Sequence, residues 1–500
     1  MLEAKLDLER EFETIIGLEV HVELKTASKL FCGCKTSFGD PPNTNTCPVC
    51  LALPGALPVL NREAVRYAVK AALALECRVA RVSKFDRKNY FYPDLPKAYQ
   101  ISQYDLPLGS HGQVRIRVPD GQGGVRVKSV RIRRLHLEED AGKLNHLGGD
   151  HLADAEESLV DLNRAGIPLI EIVSEPDLAS PEEARLYLQE LRAILRLLDI
   201  SDLRMAEGSM RVDANVSLKP RDWSGSLEDL PRTEIKNVNS LRFVQRALEY
   251  EVERQRDLLL RGERVIRETR GFDEATGTTY SQRSKEEAHD YRYFPEPDLP
   301  PLVLEESWVE GIRAEIPALP DALRAELTAA GLGPKEAEAL VTDPPALAYW
   351  RSLVAAGIEA RTAGNWMLAD VARLLNAHGH GYDETPLTPE RLVGLLRLID
   401  QGRLSGRMAK EVLDRMYETG AEAAQVVEEL GLAQISDEEA LRPVVEAVLA
   451  EHAKVVADVL AGKDKALGFL VGQVMKRTRG QASPETVNRL LRAAIAARSS

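Results

Sequence analysis

The sequence predicts an α+β protein, with an antiparallel-sheet region first and a region built only of helices after it. Three observations carry that prediction. Residues 13–24, ETIIGLEVHVEL, alternate apolar and polar side chains with a period of two, as a half-buried strand does. Residues 113–135 repeat the alternation on both sides of PDGQGG, which reads as a hairpin. From about Pro297 onward Ala- and Leu-rich amphipathic segments predict helices over roughly 319–331, 388–401, 404–418 and 437–461.

Composition sets the outer limits. A chain of 500 residues is too long for one core, so two or three domains are expected. With 44% hydrophobic and 29% charged residues it falls among ordinary soluble globular proteins. The net charge of −13 excludes a generally polycationic surface, so any contact with nucleic acid must be local. No run of 18 apolar residues and no charged-then-apolar leader over residues 1–10 are found, which predicts a cytoplasmic protein without a membrane span.

The first strand sets the chemistry. Thr14, Ile16, Leu18, Val20, Val22 and Leu24 share one face, and Glu13, Glu19, His21 and Glu23 share the other. Two carboxylates beside an imidazole suit a divalent metal or acid–base work. Next come Cys32, Cys34, Cys47 and Cys50, spaced C-x-C, twelve residues, C-x-x-C. Two close thiol pairs on turns can surround Zn²⁺ tetrahedrally, with a redox pair as the rival reading. Four thiolates leave no open position, so a zinc there would be structural. Cys77 reads as a small buried apolar residue.

Asn61 caps a helix running to about Cys77. Residues 84–108 then mix Lys84, Arg87, Lys88 and Lys97 with Tyr90, Phe91, Tyr92, Tyr99 and Tyr104. The stretch is either a loop packed by its own tyrosines or a surface for phosphate and base. The hairpin that follows carries Arg115, Arg117, Arg126, Lys128, Arg131 and Arg133, and leads into Glu138, Glu139 and Asp140. Three adjacent acids repel one another unless a cation or basic group sits nearby. Residues 158–177 predict two short strands around Gly166-Ile167-Pro168. Glu171 interrupts the apolar run LIEIV there, and an unpaired buried carboxylate is costly, so it points to a site. Ser180-Pro181-Glu182-Glu183 reads as a capping box opening a helix to about Asp199. In residues 209–218 Arg211, Asp213 and Asn215 share a strand face, and Arg232, Glu234 and Lys236 share another. A helix over roughly 240–260 and a long loop-rich segment follow. Near the C-terminus Gly468 and Gly472 allow close backbone approach, with Lys476, Arg477 and Arg479 supplying charge.

Glu19, His21, Glu139, Glu171, Asp213 and Glu234 are thus expected to converge on one polar face. Several carboxylates with one imidazole suit Mg²⁺ or Mn²⁺ holding a polyphosphate, with Arg211 and Arg232 neutralising it. The chain has no G-x-x-x-x-G-K-[ST], which excludes a P-loop NTPase, and no protein-kinase motif set. The residues alone therefore predict metal-dependent phosphoryl transfer on an antiparallel sheet. A metal-dependent nuclease or phosphodiesterase and a non-catalytic binding scaffold are the rivals.

The motifs ETIIGLEVHVELKT, KFDRKNYFYPDLPKAYQISQ, RLHLEEDAGK, SLVDLNRAGIPLIEIVSEPD, EGSMRVDANVS, RTEIKNVNS and DYRYFPEPDLPPL run in order through the first 300 residues. In them the chain resembles the B subunits of aspartyl/glutamyl-tRNA(Asn/Gln) amidotransferases. The resemblance implies a glutamine synthetase-like cradle over 1–296 with the four-cysteine zinc loop at 32–50, a helical domain over 297–410, and a tRNA-binding tail domain over 411–500. It implies ATP-dependent phosphorylation of the side-chain carboxylate of Glu-tRNA(Gln) or Asp-tRNA(Asn), then amidation by ammonia. An amidase, the A subunit, supplies that ammonia from glutamine, in a heterotrimer whose third member is the small C subunit. Glu19, His21, Glu139, Glu171, Asp213 and Glu234 become the candidate catalytic or ammonia-relay groups, with Mg²⁺ on Glu19, His21, Glu139 and Asp213. Arg87, Lys88, Tyr90, Tyr92, Lys97, Arg211, Arg232 and Lys236 become candidates for substrate or ATP, and Lys476, Arg477 and Arg479 for tRNA.

Overall fold

The computed structural model describes residues 12–147, 157–236, 238–284, 291–432, 438–460, 464–478 and 482–499. The chain divides into two units, Met1–Ala322 and Leu323–Ser500. The first core therefore runs beyond the boundary expected at 296: Leu304 and Ile312 are both part of it.

The strands of the first unit are, in order, β1 (Phe12–Glu23), β2 (Arg78–Val79), β3 (Val82–Ser83), β4 (Asp86–Asn89), β5 (Tyr99–Ser102), β6 (Gly109–Pro119), β7 (Val125–Glu139) and β8 (Lys143–Leu147). They continue with β9 (Glu157–Asp161), β10 (Pro168–Ser174), β11 (Met210–Pro220), β12 (Thr233–Lys236), β13 (Glu268–Asp273), β14 (Thr278–Ser284), β15 (Phe294–Pro295) and β16 (Leu302–Val303). Among the described residues, nine of them form one sheet, β14-β13-β12-β11-β1-β10-β7-β6-β2, in which β1 is central and only the β12–β13 pair is parallel. A smaller sheet, β15-β4-β5, carries the tyrosine-rich stretch.

The alternation along β1 is the one that its sequence dictates. Ile16, Leu18, Val20 and Val22 are buried, while Glu19, His21 and Glu23 are only partly covered. Burying each of these aliphatic side chains contributes about 2 kcal/mol. The helices Arg62–Ala74, Pro181–Leu197 and Leu241–Leu260 contact β7, β6 and β11 and join the same apolar core. Each starts where a side-chain oxygen can take an orphan backbone N–H. Asn61 Oδ1 accepts from Glu63 N at 2.9 Å, Ser180 Oγ from Glu183 N at 3.1 Å and Ser240 Oγ from Phe243 N at 3.2 Å. Such a cap is worth about 1 kcal/mol. The capping box expected at Ser180 is only half made. Glu183 instead accepts from Ala179 N at 2.7 Å and binds Lys128 at 2.6 Å, which ties the helix to the hairpin. The hairpin turn closes because Asp120 Oδ1 accepts from Gln122 N and Gly124 N, with Gly121 and Gly123 at positive φ.

The second unit is helical in its described residues. Pro389–Asp400 and Gly406–Thr419 lie where the apolar periodicity places them, whereas the segment expected over 437–461 is two helices, Glu438–Glu451 and Ala453–Leu460. Leu441, Val445, Val448, Leu470, Val474, Val487 and Leu491 make a core of their own. The close backbone approach expected at Gly468 and Gly472 is not found: a Cβ at either would meet nothing within 4 Å.

Candidate functional site

Register decides what the polar face of the large sheet presents. His21 stands opposite Glu171 on β10 and Arg211 on β11, Glu171 stands opposite His136 on β7, and Glu19 stands opposite Asp213. Two groups of potential ligands result, His21–Glu138–Glu171 and Glu19–Asp213–Glu234, each with one ligand atom per residue within 4.8 Å of the others.

In the first group Glu171 is buried between two imidazoles, with Oε2 3.4 Å from His21 Nε2 and 3.2 Å from His136 Nε2. Glu138 Oε2 lies 3.5 Å from His136 Nε2 and accepts from Ser102 Oγ at 2.9 Å. Burial alone would push the Glu171 carboxyl up. His136 and His21 outweigh it and hold the group well below the usual carboxylate range. Burial would likewise push His136 down, but Glu171 and Glu138 lift it to about 9.

In the second group burial, then Glu171 and Asp213, raise Glu19, whose Oε1 accepts from Asn215 Nδ2 at 3.2 Å. Glu234 is buried and accepts from Thr269 Oγ1 at 2.9 Å. Lys236 Nζ reaches Asp213 Oδ2 at 2.6 Å and Glu234 Oε1 at 3.4 Å. A cavity of about 710 Å³ opens beside Glu19 and Asn215, with Arg131, Arg133, Arg232 and Arg267 among its lining residues.

Some expected residues lie elsewhere. Glu139 points to the side of β7 opposite Glu138. There Lys97 Nζ binds its carboxylate at 2.5 Å and Ile101 N donates to it at 3.0 Å, close to Cys32 and Cys50. The expected acid Glu139 is thus replaced in the cluster by its neighbour Glu138, and Lys97 leaves the face with it. Arg87 is engaged by Glu296 at 2.7 and 2.9 Å and lies over the Tyr99 ring, so it braces the small sheet. Arg211 is held by Asp140 at 2.9 Å to both oxygens, at the end of the face. Burial raises Asp140, yet Arg211 and Arg164 bring it to about 2, while burial and Asp140 push Glu23 up to about 9. Lys88 stands 5.2 Å from the Tyr291 ring and 6.0 Å from that of Tyr90, under the field of Glu138 and Glu171. Tyr92 is exposed. Sequence reasoning missed His136 and Glu138 as partners of Glu171. The signal was there in HLEE, where residues two apart share a face and pair the imidazole with Glu138, not Glu139.

Cys32, Cys34, Cys47 and Cys50 form the third ligand group. Cys34 Sγ and Cys47 Sγ lie 4.0 and 3.9 Å from Cys50 Sγ, and all four thiols are free. Tetrahedral Zn–S bonds of 2.3 Å would set sulfurs about 3.8 Å apart. The spacing is compatible with a structural metal site. In the tail, Lys476 is exposed and Arg477 pairs with Glu451; Arg479 lies outside the described residues.

Residues 14–310 match the family described as the GatB/GatE catalytic domain, and residues 348–495 the GatB domain. A protein of Carboxydothermus hydrogenoformans, named as the B subunit of an aspartyl/glutamyl-tRNA(Asn/Gln) amidotransferase, is 54% identical over 97% of this chain and 99% of its own length. The chain belongs to that family of B subunits. Proteins of the same name from Moorella thermoacetica and Symbiobacterium thermophilum are 54% and 52% identical, over 96% and 97% of the chain and 99% and 98% of their own lengths. Membership makes the chain the B subunit of a glutamine-hydrolysing, tRNA-dependent amidotransferase, a ligase of protein biosynthesis. No helix among the described residues is long and apolar enough to cross a membrane.

Proposed function

We propose that the polar face of the large sheet is where this chain activates the side-chain carboxylate of Glu-tRNA(Gln) or Asp-tRNA(Asn) with ATP. The observation that carries the reading is the pair of acidic ligand groups on adjacent strands, one of whose members, Glu19, lines an arginine-edged cavity. A carboxylate is a poor acceptor for ammonia because hydroxide leaves badly. Transfer of the γ-phosphoryl group makes phosphate the leaving group, and ammonia attack then gives the amide. ATP phosphates would take the cavity lined by Arg232 and Arg267, which also borders Glu19 of the second acidic group.

Both acidic groups fit Mg²⁺ by donor type. Glu19, Asp213 and Glu234 offer carboxylate oxygens only, and Glu138 and Glu171 add two more beside His21. Bound Mg²⁺ would neutralise charge on the transferring phosphoryl group. The residues themselves do the rest. Ser102, Asn215 and Thr269 fix the rotamers of Glu138, Glu19 and Glu234. The row His21–Glu171–His136 sets an imidazole Nε2 on each side of one carboxylate, which keeps that carboxylate ionised and fixed in place beside the other acids. Lys88, near the rings of Tyr90 and Tyr291, feels the charges of Glu138 and Glu171 in this row.

Zn²⁺ is the metal that four thiolates at this spacing favour, and it would fasten the loop rather than react. The ammonia would come from an amidase, the A subunit, in a heterotrimer with the small C subunit, in the cytoplasm, where thiols stay reduced. We assign chemistry to residues 1–296 with the stretch to Ala322 that shares their unit, a helical domain to the residues from Leu323 to 410, and tRNA binding to the tail 411–500 through Lys476, Arg477 and Arg479. The test is the assembled enzyme with each mischarged tRNA, ATP and glutamine, followed for the amide on the tRNA. Amide formation that proceeds without ATP would contradict the reading.

A further inference from the structure

Three carboxylates whose oxygens lie within 4.8 Å of one another repel strongly unless a cation stands among them. Lys236 supplies one. It follows Glu234 by two residues on β12, so the two share a face, and its Nζ reaches Asp213 Oδ2 at 2.6 Å and Glu234 Oε1 at 3.4 Å. Asp213, Glu234 and Glu19 are the charged groups that act on it most strongly. A divalent cation bound by these acids would need the space and the charge that the ammonium holds. Lysine suits a temporary occupant, being a compact charge on a flexible four-carbon stem with rotatable donors. The arginine-lined cavity assigned to ATP borders the same group at Glu19, within reach of a flexible lysine stem from β12.

We infer that Lys236 is a tethered counter-ion that holds the Glu19–Asp213–Glu234 group until a divalent cation and a nucleoside triphosphate arrive together, and then transfers to the phosphates. The inference rests on the metal reading proposed above and adds a linkage to it. Metal alone must evict the ammonium into solvent, whereas metal with ATP gives it a phosphate partner, so each ligand strengthens the other. Lys236 is therefore a positioning residue whose removal changes metal affinity in a definite direction. A supporting lysine would, when lost, weaken the site; a competing one would, when lost, tighten it.

The experiment is Mn²⁺ titration of the assembled enzyme without nucleotide, followed by the electron paramagnetic resonance of free Mn²⁺. Lys236→Met should bind Mn²⁺ about tenfold or more tightly than wild type, since one close positive charge is gone. Lys236→Arg keeps the charge and should stay near wild type. The gain should vanish when Asp213→Asn is added to Lys236→Met, which places it at this group. The KM for ATP should rise in Lys236→Met more than kcat falls. If Lys236→Met does not assemble, Lys236→Gln gives the same comparison. Equal or weaker Mn²⁺ binding in the neutral variants, with wild type binding the ion, overturns this inference and leaves the metal reading standing. No Mn²⁺ bound by wild type, with or without ATP, overturns the metal reading and the inference with it.

Discussion

Glu138 and Glu139 are adjacent, alike in chemistry and opposite in role. Glu138 faces His136 and Ser102 beside His21 and Glu171, whereas Glu139 is neutralised by Lys97 on the other side of β7. Glu138→Gln keeps the Ser102 hydrogen bond geometry but removes charge from the site. It should lower tRNA-dependent ATP hydrolysis about 10²-fold or more, as losing preorganised transition-state electrostatics does. Glu139→Gln should instead cost stability, about 3 kcal/mol, because it leaves the Lys97 ammonium poorly paired in a largely buried place. Thermal unfolding together with ATP hydrolysis separates the two. The reverse pattern, with Glu139→Gln stable and inactive, would restore Glu139 to the site. This contrast also marks where sequence reading ran out at the residue scale. The parity of a strand is visible in HLEE, but which parity faces the site depends on the register of β7 against β10, and no local signal encodes that.

Among elements, β1 was the most legible, because apolar residues two apart on a central strand leave its polar face no alternative. The Asn61 and Ser180 caps were legible from local signals as well, whereas the Ser240 cap appears only in the structure. The single long helix expected over 437–461 was not, since periodicity carries through the break at His452 without a Gly or Pro to mark it. The role of Arg87 was also hidden, because its partner Glu296 lies 209 positions away. The cysteine loop makes the prediction proper to this scale. One zinc per chain should be bound, and Cys47→Ser should lose it and lower the unfolding temperature. Metal binding to such thiolates is folding free energy, so the cost falls on stability before chemistry. Protein purified without chelator and containing no zinc would contradict the assignment.

For the whole molecule, chemistry is assigned to the first unit and tRNA binding to the tail. The acidic ligand groups and the arginine-lined cavity all belong to Met1–Ala322. Truncation after about residue 410 should therefore weaken tRNA binding, and the difference from the full chain should shrink as salt rises, since phosphate contacts by Lys and Arg are salt-dependent. Filter binding at several salt concentrations measures this, and unchanged affinity in the truncated complex would count against the tail.

The most direct measurement of the central claim bypasses glutamine altogether. The assembled enzyme is given Glu-tRNA(Gln), ATP and ammonium chloride, and Gln-tRNA(Gln) and ADP are followed in wild type, Glu19→Gln, His21→Ala and Asp213→Asn. These side chains stand on a polar face backed by a packed sheet, so replacing them should spare the core and the binding of tRNA. Wild type should form amide and ADP together, and the three variants should lose both by about 10²-fold or more. Variants that amidate Glu-tRNA(Gln) at near wild-type rates would show that the carboxylate is activated somewhere other than this face.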